Sequence, residues 1–156
     1  MATTAHIGDA YRDGEGNWNF SGSYDPDDVI FLLNPARIEP TDIAEKERLI
    51  QSGARHYSEM LSAEPLPDAR YLRLYDMALA ANAARVRHDV ERLACAIADR
   101  PRTAARCVIV SLARAGTPIG ILLKRALRRI GIEAWHYTVS IIRGRGIDEN
   151  ALAYIA

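Results

Sequence analysis

Two short runs in this 156-residue chain concentrate groups that could do chemistry. The first is Arg55-His-Tyr-Ser-Glu-Met60, which puts an imidazole, a phenol, a hydroxyl and a carboxylate side by side. Proton transfer needs such groups within hydrogen-bond reach of a substrate. His56 and Glu59 are therefore the candidate catalytic residues, and Tyr57 and Ser58 candidate ligand-binding ones. The second run is Ala113-Arg-Ala-Gly-Thr117, a stretch of small residues with one guanidinium. Small side chains let backbone N–H groups approach an anion closely, and a helix start adds the positive end of its dipole. Arg114, Ala115, Gly116 and Thr117 are candidates for holding a phosphate, with Arg143 and Arg145 as two further bases. Ser23 and Asp148 complete the candidate ligand-binding residues. No metal-ligand spacing is present. The two thiols, Cys95 and Cys107, lack redox or metal spacing and read as reduced.

The elements around these runs follow from periodicity. Cys107 to Leu112 is apolar and β-branched, of strand length; Ala113 to Gly116 is a turn. Thr117 stands where a helix cap belongs, Pro118 suits the first helical position, and the helix runs to about Ile130 before Gly131 stops it. Ile132 to Ile142 alternates as a second strand. A helix between two strands implies a right-handed crossover and parallel pairing. Ligands collect beyond the C-terminal ends of such strands, so Arg114 and Thr117 should share an edge with Arg143, Arg145 and Asp148.

Upstream, Asp25-Pro26 is expected to open a short helix with an apolar face from Val29 to Leu33. Asp42 with Glu45 opens a helix that ends at Gly53. Asp68 caps a long helix from Ala69 to Ala98. Leu72, Leu79, Val86 and Leu93 recur every seven residues along it, with Ala83, Val90 and Ile97 in the adjacent row, which predicts a stripe packed on the core. Arg85, Arg87, His88 and Arg92 fall on a solvated face. Cys95, close to the stripe, reads as a buried structural thiol. Asp148 caps a last helix, and the chain reads as incomplete at its C-terminus. The expected organisation is an N-terminal arm over 1–24 and one α/β domain over 25–156, helical over 25–99 and strand-helix-strand-helix over 107–156.

Composition bounds the rest. About half the residues are apolar (49%), enough for a core. No 18-residue apolar run and no signal peptide are evident, so a soluble cytoplasmic protein with no membrane partner is expected. Net charge is zero, but residues 1–68 carry 13 acids and 5 bases, whereas residues 69–156 carry 7 acids and 15 bases. The basic half either faces an anionic ligand or nucleic acid, or packs against the acidic half. No RNP motif accompanies it.

The runs Ser111-Leu-Ala-Arg-Ala-Gly-Thr-Pro118 and His136-Tyr-Thr-Val-Ser-Ile-Ile-Arg-Gly-Arg-Gly-Ile-Asp148, with Phe20-Ser-Gly-Ser-Tyr24 and His56-Tyr-Ser-Glu-Met60, resemble a family found with bacterial tellurite-resistance and stress operons. It is described as phosphoribosyltransferase-like, and also as StiP, the N-terminal domain of a stress-induced cysteine protease. The resemblance implies a parallel-sheet, phosphoribosyltransferase-like (Rossmann-like) domain with a helical N-terminal part. Its main functional implication is binding of a phosphorylated ribose or nucleotide-like metabolite, with phosphoribosyl pyrophosphate and Mg²⁺ as the ligand and cofactor. The Thr-Gly loop of those enzymes is missing, so a fragment inactive alone is expected, lacking a C-terminal, Pelota-like RNA-binding domain. The alternatives are a cysteine peptidase and a non-catalytic nucleotide- or RNA-binding module. A peptidase needs a low-pKa thiol beside a histidine, and neither cysteine's expected position provides one. The resemblance leaves oligomeric state open.

Overall fold

The computed structural model describes residues 20–33, 38–101, 106–142 and 146–156. The chain divides into two compact units, Met1–Pro35 with Ala83–Ala156, and Ala36–Asn82. Arg143 and Arg145 lie outside the described residues, as does nearly all of the expected N-terminal arm.

The first unit is α/β. Strand β2 (Cys107–Leu112) leads through a turn to helix α3 (Gly116–Arg129), which returns to strand β3 (Ala134–Val139). The two strands pair in parallel over six positions, from Cys107 opposite Ala134 to Leu112 opposite Val139. Strand β1 (Ile30–Phe31) pairs in parallel with the other side of β3, giving the order β1-β3-β2. The expected α/β class and parallel sheet are what the chain forms.

Side chains alternate across this sheet. Ile109, Ser111, Ala134, His136 and Thr138 are buried on one face. Its apolar part joins Leu123, Ala126 and Leu127 of α3 and Ala94 of α2 (Ala69–Ala98) in the main core, with Val90, Ile97 and Cys107 packed against it. On the other face, Tyr137 and Val139 pack with Leu32 and with Ala151 of α4 (Glu149–Ile155).

Several expectations change. Asp25-Pro26 opens a turn, not a helix: Asp28 N–H donates to the Asp25 carbonyl at 2.9 Å, and Asp27 N–H to Asp25 Oδ1 at 2.9 Å. The Val29-Ile30-Phe31 run that follows is β-branched and aromatic, and pairing with β3 draws it into a strand. The second strand stops at Val139, and Ile141–Ile142 (β4) instead pairs antiparallel with Gly146–Ile147 (β5). Helix α2 has the expected bounds, but only part of the expected stripe packs. Leu72, Leu79, Val86 and Leu93 are exposed, while Val90, Ala94 and Ile97 contribute to the core. Cys95, on this helix, is an exposed thiol and not a buried one. Arg85, Arg87, His88 and Arg92 are exposed as expected.

The second unit holds helix α1 (Ile43–Gln51) and a 3₁₀ turn at Tyr57–Glu59. Asp42 caps α1, accepting from the Ala44 and Glu45 N–H groups. Glu45 turns to Arg48 at 2.7 Å instead of closing a capping box. Among the described residues no helix is long and apolar enough to cross a membrane.

Candidate functional site

The C-terminal edge of the sheet is organised by side chains from both long strands and α3. Register places Ser111 opposite Thr138, with His136 two residues earlier on the same face of β3. His136 Nδ1 lies 3.1 Å from the Asp28 backbone carbonyl. A carbonyl only accepts, so Nδ1 carries the proton and Nε2 of the neutral ring is an acceptor. Ser111 Oγ–H therefore donates to His136 Nε2 at 2.7 Å. Ser111 Oγ is then free to accept from Thr138 Oγ1 at 2.8 Å, which in turn accepts from Thr117 Oγ1 at 3.1 Å. Four donors run in one direction, from Thr117 to Asp28, each meeting an acceptor. His136 is 2% exposed and Thr138 0%. Burial of unpaired hydroxyls would cost heavily, and this relay leaves none of the four side chains unpartnered.

Burial also sets the charge. Desolvation pushes the His136 pKa below its ordinary value, and nearby Lys124 adds to that, outweighing the pull of the Asp28 carbonyl and carboxylate. The ring stays neutral, as the relay requires. Asp28 is held a second way. Its carboxylate takes a bidentate hydrogen bond from Arg125 of α3, with Nε at 2.9 Å from Oδ1. That hydrogen bond holds the Asp28 carboxyl below the usual range. Gly120 completes the packing: a Cβ there would enter the His136 ring. Only glycine lets α3 lie this close to β3.

Above the relay sits the turn from Ala113 to Ala115, which contains a cis peptide bond between Ala113 and Arg114. Arg114 and Ala115 are exposed, Gly116 half-buried, and Thr117 buried. Thr117 does not cap α3. The cap position is Ala115, without a side-chain bond, and the Thr117 hydroxyl points into the relay. Asp148 accepts from the Asn150 and Ala151 N–H groups as the cap of α4. Ser23 is exposed in the turn from Ser21 to Tyr24. So the edge carries Arg114, Ala115 and Gly116 at its surface, while the other two expected bases fall outside the described residues.

The His56 run lies in the second unit. Ser58 N–H and its hydroxyl both approach His56 Nδ1, at 3.4 and 2.7 Å, and the His56 and Tyr57 rings lie 4.4 Å apart. With Nδ1 accepting from a backbone N–H, the neutral ring carries its proton on Nε2. Nε2 is then a donor and not a base, the reverse of His136. Arg55 reaches the Glu59 carbonyl at 3.0 Å. A groove of about 520 Å³, lined by Asp27, Ile30, Lys124, Arg128, Trp135 and Tyr137 among others, lies toward the start of β3 and not at the strand C-termini.

Sequence reasoning missed the relay. Its signal was present in the alternation of His136 and Thr138 with apolar neighbours, but the partner Ser111 is 25 positions away and only the register pairs them. Among the described residues neither cysteine sulfur has a hydrogen-bonded histidine, and no group of three or more His, Cys, Asp or Glu could hold a metal.

Comparison with known proteins bears on the function. Residues 22–156 match the family described as tellurite-like stress resistance cysteine protease StiP. The chain is 48% identical over 139 residues to a protein of Acinetobacter baylyi named Cysteine protease StiP. That match covers 87% of this chain and 35% of the relative, so the chain spans about a third of the relative's length. No solved structure matches. Both named matches are to a cysteine protease, and they overturn the expectation of a phosphoribosyltransferase-like protein binding a phosphorylated ribose.

Proposed function

Since the chain belongs to the StiP family of tellurite-like stress-resistance cysteine proteases, we propose that it forms one module of such a protease, supplying scaffold and site rim instead of a complete catalytic pair. The observation that carries this reading is the family match across residues 22–156. Thiol catalysis needs a thiolate beside an imidazole, oriented by a third group. This chain has one exposed thiol, Cys95, and one half-buried thiol, Cys107. His136 has the right tautomer for a base but is sealed against Ser111 and Gly120, where no substrate reaches it. Its role is positioning: with Ser111, Thr138 and Thr117 it fixes the start of α3, and thereby the exposed turn with Arg114. The missing half of the thiol–imidazole pair belongs to polypeptide outside the described residues.

The test is casein hydrolysis by a hybrid in which this chain replaces the matched stretch of the Acinetobacter protein. Hydrolysis should occur and should stop on alkylation with iodoacetamide. Arg114→Ala should slow it without unfolding the hybrid. Undiminished hydrolysis after alkylation would remove the thiol mechanism. If Cys95→Ser alone abolishes hydrolysis, the nucleophile lies in this chain after all.

A further inference from the structure

The sheet is finished on one side only. Parallel sheets are found almost exclusively with both faces covered and their strands buried. Here β2 is an end strand, as the two-residue β1 is on the other side, and its Val108, Val110 and Leu112 are 47%, 44% and 43% exposed, with Trp135 beside Val108 at 43%. Arg106 lies over the Trp135 ring, 4.7 Å from its centroid. Helix α4 reaches Tyr137 and Val139 on this face, and among the described residues nothing covers the β2 side.

Among the described residues, Val108, Val110 and Leu112 are also open along the backbone. Cys107 N–H donates to the Glu133 carbonyl and Ala113 N–H to the Val139 carbonyl. Odd-numbered residues of β2 thus point their backbone groups at β3. By the alternation of a parallel ladder, Val108, Val110 and Leu112 point theirs away from it. Open N–H and C=O groups beneath an apolar row form a template for another strand.

We propose that a further strand and its covering helix dock here, and that they come from the polypeptide the Acinetobacter relative carries outside the matched 35%. The strand extends the sheet beyond β2, and the helix covers Val108, Val110, Leu112 and Trp135. The connection rules of parallel sheets favour this occupant, because a crossover brings a strand and a helix together. A second copy of the chain would offer an identical edge with nothing to cover the face. The inference rests on family membership and not on the protease reading.

Hydrogen exchange decides it. In the 156-residue chain the amides of Val108, Val110 and Leu112 should exchange fast while those of Ile109 and Ser111 are protected. In the hybrid described above, the even-numbered amides should slow by more than about tenfold. If they exchange equally fast in both, the proposal is wrong. A stable dimer of the 156-residue chain that protects these amides overturns it in favour of a second copy. Should the hybrid not fold, the same comparison is made between the intact Acinetobacter protein and its matched stretch alone. As a second measurement, Val110→Thr should leave the melting of the isolated chain within about 3 °C of the parent. It should lower that of the hybrid by more. Equal losses in both would mean the face is already covered. Casein hydrolysis is not the readout, so failure of this proposal and failure of the protease reading are separable.

Discussion

Among the described residues, two histidine–serine pairs share the same 2.7 Å separation, and they mean different things. His56 and Ser58 are two residues apart, exposed, and joined by the local geometry of a helix cap. His136 and Ser111 are buried and joined only because two strands pair in one register. In the first pair Nδ1 accepts; in the second Nδ1 donates to a fixed carbonyl, and Nε2 takes the serine proton. The lesson is that the cap could be lost with little consequence, since water can replace either partner, whereas the buried pair has no substitute.

The largest effect should come from Gly120→Ala. The added methyl enters the His136 ring, and overpacking of this kind costs about 3 kcal/mol, read as a fall in the denaturant midpoint. If His136→Ala relieves most of that loss in the double variant, the clash is the cause. An additive result would place it elsewhere. Next, Ser111→Ala strips His136 Nε2 and the Thr138 hydroxyl of a partner and should cost about 2 kcal/mol.

Smaller still is the effect of pH. The folded state holds the His136 pKa down, while the unfolded chain titrates near the ordinary histidine value of 6.5. Below that pH the unfolded state binds a proton that the folded state refuses. Stability is therefore fully present above 6.5 and falls as the pH drops below it, by at most about 1.4 kcal/mol per unit. His136→Gln should flatten that slope in urea melts; an unchanged slope would exonerate this ring. The smallest effect is Ser58→Ala at the exposed cap, expected within about 0.5 kcal/mol of the parent. A loss as large as that of Ser111→Ala would erase the contrast between the pairs.

What the sequence disclosed follows the same division. The caps at Asp42, Asp68 and Asp148, the bounds of α2 and the β2–turn–α3–β3 unit all depend on neighbours within a few residues, and all were legible. The short strand at Ile30 was read as helix because its partner lies at Tyr137. Of the expected α2 stripe only Val90 and Ile97 pack, because period alone cannot say how much of an apolar stripe meets the core. Thr117 was read as a cap because its position at a helix start is a local signal, whereas its hydroxyl follows a distant Thr138. Gly120 carries no local signal, and its need appears only once His136 lies beneath it.

The double hold on Asp28 carries an implication for the order in which the molecule assembles. Its carboxylate meets Arg125 across 97 positions, and its carbonyl meets His136 across 108. The unit from β2 to β3 closes over a far shorter stretch of chain, so it should form first, with the N-terminal segment arriving afterwards at a greater loop-closure cost. Until that segment arrives, no carbonyl fixes the proton on His136 Nδ1, and the ring can take either tautomer. The direction of the whole relay is then set by the last piece of chain to dock.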